Sequence, residues 1–482
     1  MFGMLLKNQI KQTILQIVFF VVCGAIPGLF AQEEPKEVLT YKDYMNQVKK
    51  FHPVVKQANL LTDIGDAQVQ QARGDFDPKL EAYYDRKDFK DIEYYDILNA
   101  TFKIPTWFGV ELKANFEQNQ GEFLNPQLNV PEEGLFAAGV SVPLAQGLLI
   151  NKRMASLRKA KFYREQNRAD RDLLVNEVLF EASLAYFSWL RYYNETQIYE
   201  DFLENASVRL TGIRTRARLG DIAAIDTVEA KIAVQNRQLS LEQAKISQIK
   251  AALELSNYLW IQDNIPVELL PDVIPEQNIN LIINNELNLD ILDRDAIILE
   301  NHPKMRSLAN KIGALEVERR LQLNTLLPKI NVNYNFITST PDLLSTYNEN
   351  NYKAGVTFSF PLFLRKERGS LRIARYELQD QEYERTTVST QLTNKIDASF
   401  NTLDALKVQL ELITDIVSNY QVLLSAEERK FSFGESSLFL INSRESKLID
   451  ARLKSNELQN KYFDTKAKLF NNLAIVPEEV EK

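Results

Sequence analysis

The sequence predicts an α+β membrane protein of two internal repeats, each joining a cluster of β-strands to a pair of very long helices. Three observations carry that expectation. Short motifs recur at fixed offsets, two stretches of over a hundred residues lack proline, and segments of about ten residues alternate apolar with polar side chains.

The chain opens as a secreted protein does. Lys7 and Lys11 precede an apolar run from Ile14 to Phe30, and Ala31-Gln32-Glu33 begins a polar region, so residues 1–31 are expected to be a signal peptide. The run barely reaches the length of a retained anchor and is broken by Pro27 and Gly28. Cys23, the only cysteine, leaves with that segment, and Phe20-Val21-Val22 is a poor context for its lipidation. No disulfide framework or thiolate site then remains. The formal charge of −8 becomes −10, which speaks against a nucleic-acid partner. Beyond residue 31 no apolar run approaches 18 residues, so the chain is expected to cross a membrane only as strands.

The duplication is read from the offsets. His52-Pro53 recurs as His302-Pro303 and Pro78 as Pro328, both at 250. Further on, Ser156-Leu157-Arg158-Lys159-Ala160 recurs as Ser370-Leu371-Arg372-Ile373-Ala374, and Gly220 as Gly434, both at 214. The first repeat is therefore 32–265 and the second 293–482, with a connecting segment 266–292. The drop of 36 between the offsets puts an extra hairpin, about 94–129, among the first repeat's strands, 78–144.

Long helices are expected over 149–218 and 370–431, followed by returning helices over 222–260 and 438–472. Gly220 and Gly434 mark the turns between them. Leu403, Leu406, Leu410, Ile413, Val417, Tyr420 and Leu424 form a seam at steps of three and four. The equivalent positions 189, 192, 196, 199, 203, 206 and 210 are apolar except Thr196. A helix from Leu149 to Arg218 would be roughly 105 Å long. Shorter helices over 41–74 and 293–326 precede the strands and, stacked on the returning helices, match that length. Such proportions suit the wall of a tube.

The strands alternate. Phe108, Val110, Leu112, Ala114 and Phe116 interleave with Glu111, Lys113, Asn115 and Glu117. In the second repeat (strands 328–362) Ile330, Val332, Tyr334 and Phe336 interleave with Asn331, Asn333 and Asn335. Apolar-out, polar-in alternation of this length fits a membrane barrel, and Tyr94, Tyr95, Phe102, Trp107 and Phe108 are candidates for its aromatic girdle.

The order of short helix, strands, long helix, glycine turn and returning helix, performed twice, resembles the TolC-like outer-membrane efflux family over nearly all of the mature chain. Gly139-Val140-Ser141-Val142-Pro143-Leu144 and Gly355-Val356-Thr357-Phe358-Ser359-Phe360-Pro361-Leu362 are similar to its strand-to-helix junctions, with Pro143 and Pro361 at the turn. Gly220-Asp221 and Gly434-Glu435 are similar to its periplasmic tips. The resemblance implies a homotrimer in the bacterial cell outer membrane, in which four strands per subunit share one β-barrel continuous with a long periplasmic α-helical barrel. It implies a passive exit duct of a tripartite efflux or type I secretion system. An inner-membrane pump, of RND or ABC type, feeds it through a periplasmic adaptor docked at Gly220, Asp221, Gly434 and Glu435. Segment 266–292 would be its equatorial belt.

Two features depart from the family. Where many members carry acids at the tunnel entrance, this chain has Leu440 and Ser443, with Asp226 at the matching place in the first repeat. The extra hairpin is the other.

An enzyme is not indicated, and no cofactor or metal is expected. The chain lacks nucleotide-binding, zinc-protease and nucleophile-elbow motifs, and its two histidines each precede a proline at a helix entry. The rival reading is a secreted coiled-coil structural or adaptor protein without a membrane barrel.

Overall fold

The computed structural model describes residues 37–289, 294, 297–342 and 345–475. The expected signal peptide, with Cys23, and the expected helix start at 293 lie outside them.

Helix α1 (Tyr41–Phe51) and helix α2 (Pro53–Gly74) replace the single helix expected over 41–74. The break is chemical. A residue before proline is pushed out of the α region, and His52 sits at φ −63°, ψ 129°. Its Nδ1 then caps α2, accepting the Val54 N–H at 3.3 Å.

Four strands follow: β1 (Lys79–Phe89), β2 (Ile92–Pro105), β3 (Glu111–Gln120) and β4 (Leu135–Pro143). Strand β3 begins at Glu111 and not at Phe108. The Thr106 N–H donates to the Val110 carbonyl at 2.9 Å, so Phe108 and Gly109 belong to the turn.

Helix α3 (Lys152–Leu219) then runs 68 residues, roughly 100 Å, and α4 (Ala224–Ser256) returns beside it. Helix α4 stops short of the expected residue 260 because Trp260–Ile261 pairs with Ile265–Pro266 in a small ribbon.

The second repeat contains α5 (Pro303–Asn324), β5 (Lys329–Thr338), β6 (Tyr352–Ser359), α6 (Arg365–Ser432) and α7 (Leu438–Leu473). Helix α5 starts late, against an expected 293, because His302 repeats the capping role of His52, accepting the Lys304 N–H at 3.1 Å. Its Nε2 lies 3.2 Å from the Asn472 carbonyl, so the tautomer with Nε2–H satisfies both contacts. Helix α6 begins five residues before the expected 370, since Leu364 in the left-handed region (φ +50°) turns the chain directly from Pro361 into the helix.

Helix α3 is the centre of the helical layer. It packs against α2 and α5 towards the strands and against α4 and α7 towards the other end, with α6 beyond them. Both seams face inward: Trp189, Ala206 and Leu210 are buried on α3, and Leu403, Leu406, Ile413 and Leu424 on α6. Thr196, the polar member, donates its hydroxyl to the Tyr192 carbonyl at 3.0 Å. The main core surrounds α3, where Tyr41, Tyr186 and Phe187 pack with ring centroids 5.2–6.3 Å apart. One 18-residue stretch of α3, missed in the sequence reading, is apolar enough in composition to cross a membrane, and more than half of it is buried within the protein.

The six strands form one antiparallel sheet in the order β6-β5-β4-β3-β2-β1. The first repeat thus contributes a four-stranded meander, and the two repeats meet where β4 pairs with β5.

Candidate functional site

The sheet has two chemically distinct faces, and its register builds them. Leu80, Phe102, Ala114, Ala138, Phe336 and Tyr352 stand in one continuous row of paired positions across all six strands. One residue along, the row through Lys103, Lys113, Gly139, Asn335 and Lys353 is polar or charged on every strand but β4, which supplies the glycine. On that face Thr101 donates to Asn115 Oδ1 at 2.5 Å. On the apolar face Val356 and Phe358 of β6 are 69% and 68% exposed and Leu80 of β1 is 76% exposed. Among the described residues, both outer strands, β1 and β6, have one unpaired edge.

The two junction prolines differ. Pro143 is buried at the end of β4 opposite Asn331, and the next residue, Leu144, donates its N–H to the Ile330 carbonyl at 2.8 Å. Pro361 is exposed beyond β6, beside the exposed Leu362 and Phe363. Asn151 caps α3 in the first junction, accepting the Met154 N–H at 2.9 Å.

At the far end, the two glycine turns have the same geometry. Gly220 (φ +83°) and Gly434 (φ +79°) occupy the left-handed region. The N–H of Asp221 reaches back to the Arg216 carbonyl at 3.0 Å and that of Glu435 to the Lys430 carbonyl at 2.9 Å, the closing bond of a Schellman motif. Asp221 and Glu435 are exposed. The turns lie together, because Leu210, Ile213, Ala230 and Leu438 pack in one cluster with Ile222 and Phe431.

Asp226 is half-buried in the first turn of α4, whereas Leu440 and Ser443 are exposed at the start of α7. Asn442, between them, donates to Glu229 at 3.0 Å, which puts these positions at one level along the helices.

A carboxylate missed in the sequence reading lies just beyond. Glu445 is 1% exposed, with Arg209 of α3 at 2.9 Å and Arg237 of α4 at 3.5 Å. Arg209 also reaches Glu428 of α6 at 3.1 Å. Four helices from both repeats are thereby tied by one cluster of charges. Adding or subtracting 214 turns Arg209 into Leu423, Arg237 into Ala451 and Glu445 into Lys231, so the duplication gives no signal for it.

Further along α7, Asp464 lies in a groove with Glu181, Arg191 and Glu254. Burial outweighs the attraction of Arg191 and raises its pKa to about 6.

Residues 296–474, within the second repeat, match the family model described as outer membrane efflux protein. No curated protein matches the chain in sequence. Among solved structures, the CmeC outer membrane channel of Campylobacter jejuni superposes with a TM-score of 0.61 at 13% identity, covering 93% of this chain and 90% of that one. The outer membrane protein VceC of Vibrio cholerae gives 0.61 at 12%, covering 89% and 95%. The open-state MtrE outer membrane channel of Neisseria gonorrhoeae gives 0.60 at 12%, covering 90% and 88%. At such identities the likeness establishes the fold. Residues 296–474 thus match an outer membrane efflux protein domain, and the whole described length has the fold of the outer membrane channels CmeC, VceC and MtrE.

Proposed function

We propose that three copies of this chain form one outer-membrane channel, a passive exit duct of a tripartite efflux or type I secretion system. The observation that carries this reading is the two-faced sheet with two open edges. An apolar face that continues over six strands suits lipid, and the polar face suits a water-filled lumen. Open edges are not tolerated in hydrocarbon, so β1 of one copy pairs with β6 of the next until the ring closes.

The helical wall supports the same closure. On one border α4 exposes Ile225, Val228, Ile232, Leu239, Ile246 and Leu253 at steps of three, four and seven. On the other, α6 exposes Val408, Leu412, Ile416 and Leu423. Two unsatisfied apolar seams on opposite borders form a head-to-tail contact that a rotation closes.

In this reading the helices extend into the periplasm, and the paired glycine turns are where a periplasmic adaptor docks. The adaptor connects the duct to an inner-membrane pump of RND or ABC type. The polar surfaces carry solutes past without chemistry.

Membrane fractionation tests the reading. The protein should float with outer membranes, resist extraction by carbonate and migrate in mild detergent as a trimer. Release without detergent would favour the secreted coiled-coil alternative instead.

A further inference from the structure

We infer that the hairpin β2–β3, for which the second repeat has no counterpart, is part of the barrel wall, so that the shared barrel has eighteen strands and a widened lumen. The inference rests on the trimeric-barrel reading and goes beyond it. The family resemblance implies four strands per subunit, and a cap or a periplasmic flap would leave that number unchanged.

Three independent features place the hairpin in the wall. The first is pairing. Strand β2 is in register with β1 from Lys103 opposite Lys79 to Ile92 opposite Phe89, with one irregularity near Lys87. Strand β3 is in register with β4 from Glu111 opposite Ser141 to Glu117 opposite Leu135. Folding the hairpin away would break both ladders, and their backbone groups would stay unpaired in lipid unless β1 and β4 closed up on each other.

The second is chemistry. Ala100, Phe102 and Ile104 on β2, opposite Phe116, Ala114 and Leu112 on β3, continue the apolar face, with Leu98 at its border before the polar Gln118 and Asp96. Thr101 and Asn115 continue the polar one. A hairpin folded away as a water-exposed flap has no need of a lipid-matched face in phase with its neighbours.

The third is anchorage. The hairpin's inner turn is fixed in the junction between sheet and helices. Trp107 stacks on Phe76 with ring centroids 5.6 Å apart, and the Arg158 guanidinium lies over the same ring at 5.5 Å. Asn151, the cap of α3, donates its side-chain amide to the Trp107 carbonyl at 3.0 Å. Arg153 of α3 pairs with Glu111 at 2.5 Å. Gly109 (φ +77°) passes so close that an added Cβ would lie 2.9 Å from the Gly147 carbonyl oxygen. The turn is therefore held upright on the first turn of the long helix.

With strands about 4.8 Å apart and tilted about 40°, eighteen strands give a wall roughly 36 Å across, against roughly 24 Å for twelve. That is the porin size class, in which the lumen stays an aqueous channel. The barrel would then pass bulkier solutes than a twelve-stranded wall admits.

Single cysteines test this on a Cys23→Ser background, labelled in outer membranes by a membrane-impermeant maleimide. Thr101→Cys and Asn115→Cys should label at least tenfold faster than Leu98→Cys and Phe116→Cys, as Thr357→Cys should against Val356→Cys on β6. Equal labelling of all four hairpin positions, with the β6 contrast kept, would overturn the eighteen-strand barrel alone. Loss of contrast on β6 as well would overturn the barrel reading itself. A density map of the detergent-extracted trimer gives the second readout, eighteen strands supporting the inference and twelve refuting it.

Discussion

Glu445 of the second repeat lies 2.9 Å from Arg209 of the first, with its carboxylate almost wholly removed from solvent. A buried carboxylate survives there because Arg237 closes on its other oxygen. Removing the acid leaves Arg237 facing Arg209 without its counter-charge, and Arg209 with only the more exposed Glu428. Glu445→Ala should therefore destabilise the helical hairpins by roughly 3 kcal/mol. Limited proteolysis should show faster cleavage near the glycine turns while the barrel stays assembled. An unchanged cleavage rate would mean that the charge cluster does not hold the repeats together.

The glycine turns give a cleaner case of backbone cost. Nothing lies within 4 Å of a Cβ built on Gly220 or Gly434, so a substitution there meets only the strain of positive φ. Gly220→Val and Gly434→Val should each cost on the order of 1–2 kcal/mol and shift the turn. Trimers should still form, while efflux and cross-linking to the adaptor weaken. Gly355, equally open but without positive φ, supplies the control, and Gly355→Ala should be silent. Normal efflux in both valine variants would count against docking at the tips.

Adjacent residues on β3 should respond in opposite ways to the same charge. Ala114 belongs to the apolar face and Asn115 to the polar one. Ala114→Arg should cost about 2–4 kcal/mol near the bilayer midplane and lower trimer yield, whereas Asn115→Arg should assemble normally. Heat-modifiability on gels reads both.

Asp464 predicts a pH dependence. Its pKa of about 6 lies above the ordinary 3.8, so the stability it contributes is full below about pH 4 and is lost as pH rises through 6. Asp464→Asn keeps the neutral form at every pH. Thermal unfolding should show a gain of roughly 2 kcal/mol at pH 7.5 and none at pH 4. The histidine caps behave in the opposite sense. Burial lowers the pKa of His52 and of His302, so their contribution is present above about pH 6.5 and is lost as pH falls through the lowered values.

Much of the architecture is legible in the residues because periodicity and proline are local signals. Proline-free stretches and glycine turns mark α3, α4, α6 and α7, and period-two alternation marks β3 and β5. Breaks were harder. Pro53 is visible as a repeat landmark, yet only the extended backbone of His52 shows that it splits a helix. Trp107 suits an aromatic girdle by composition, but its partners Phe76 and Arg158 are distant in sequence and draw it into the helical base. The Arg209–Glu445–Arg237 cluster is invisible for the same reason, since a salt-bridged carboxylate on a helix reads like any solvated one until burial is known.

The most direct measurement of the central claim is native mass spectrometry of the detergent-extracted protein, paired with its conductance in a planar bilayer. The account predicts a single species of three chains that conducts ions. A monodisperse monomer that still conducts would contradict the shared barrel, and a trimer that never conducts would contradict the duct.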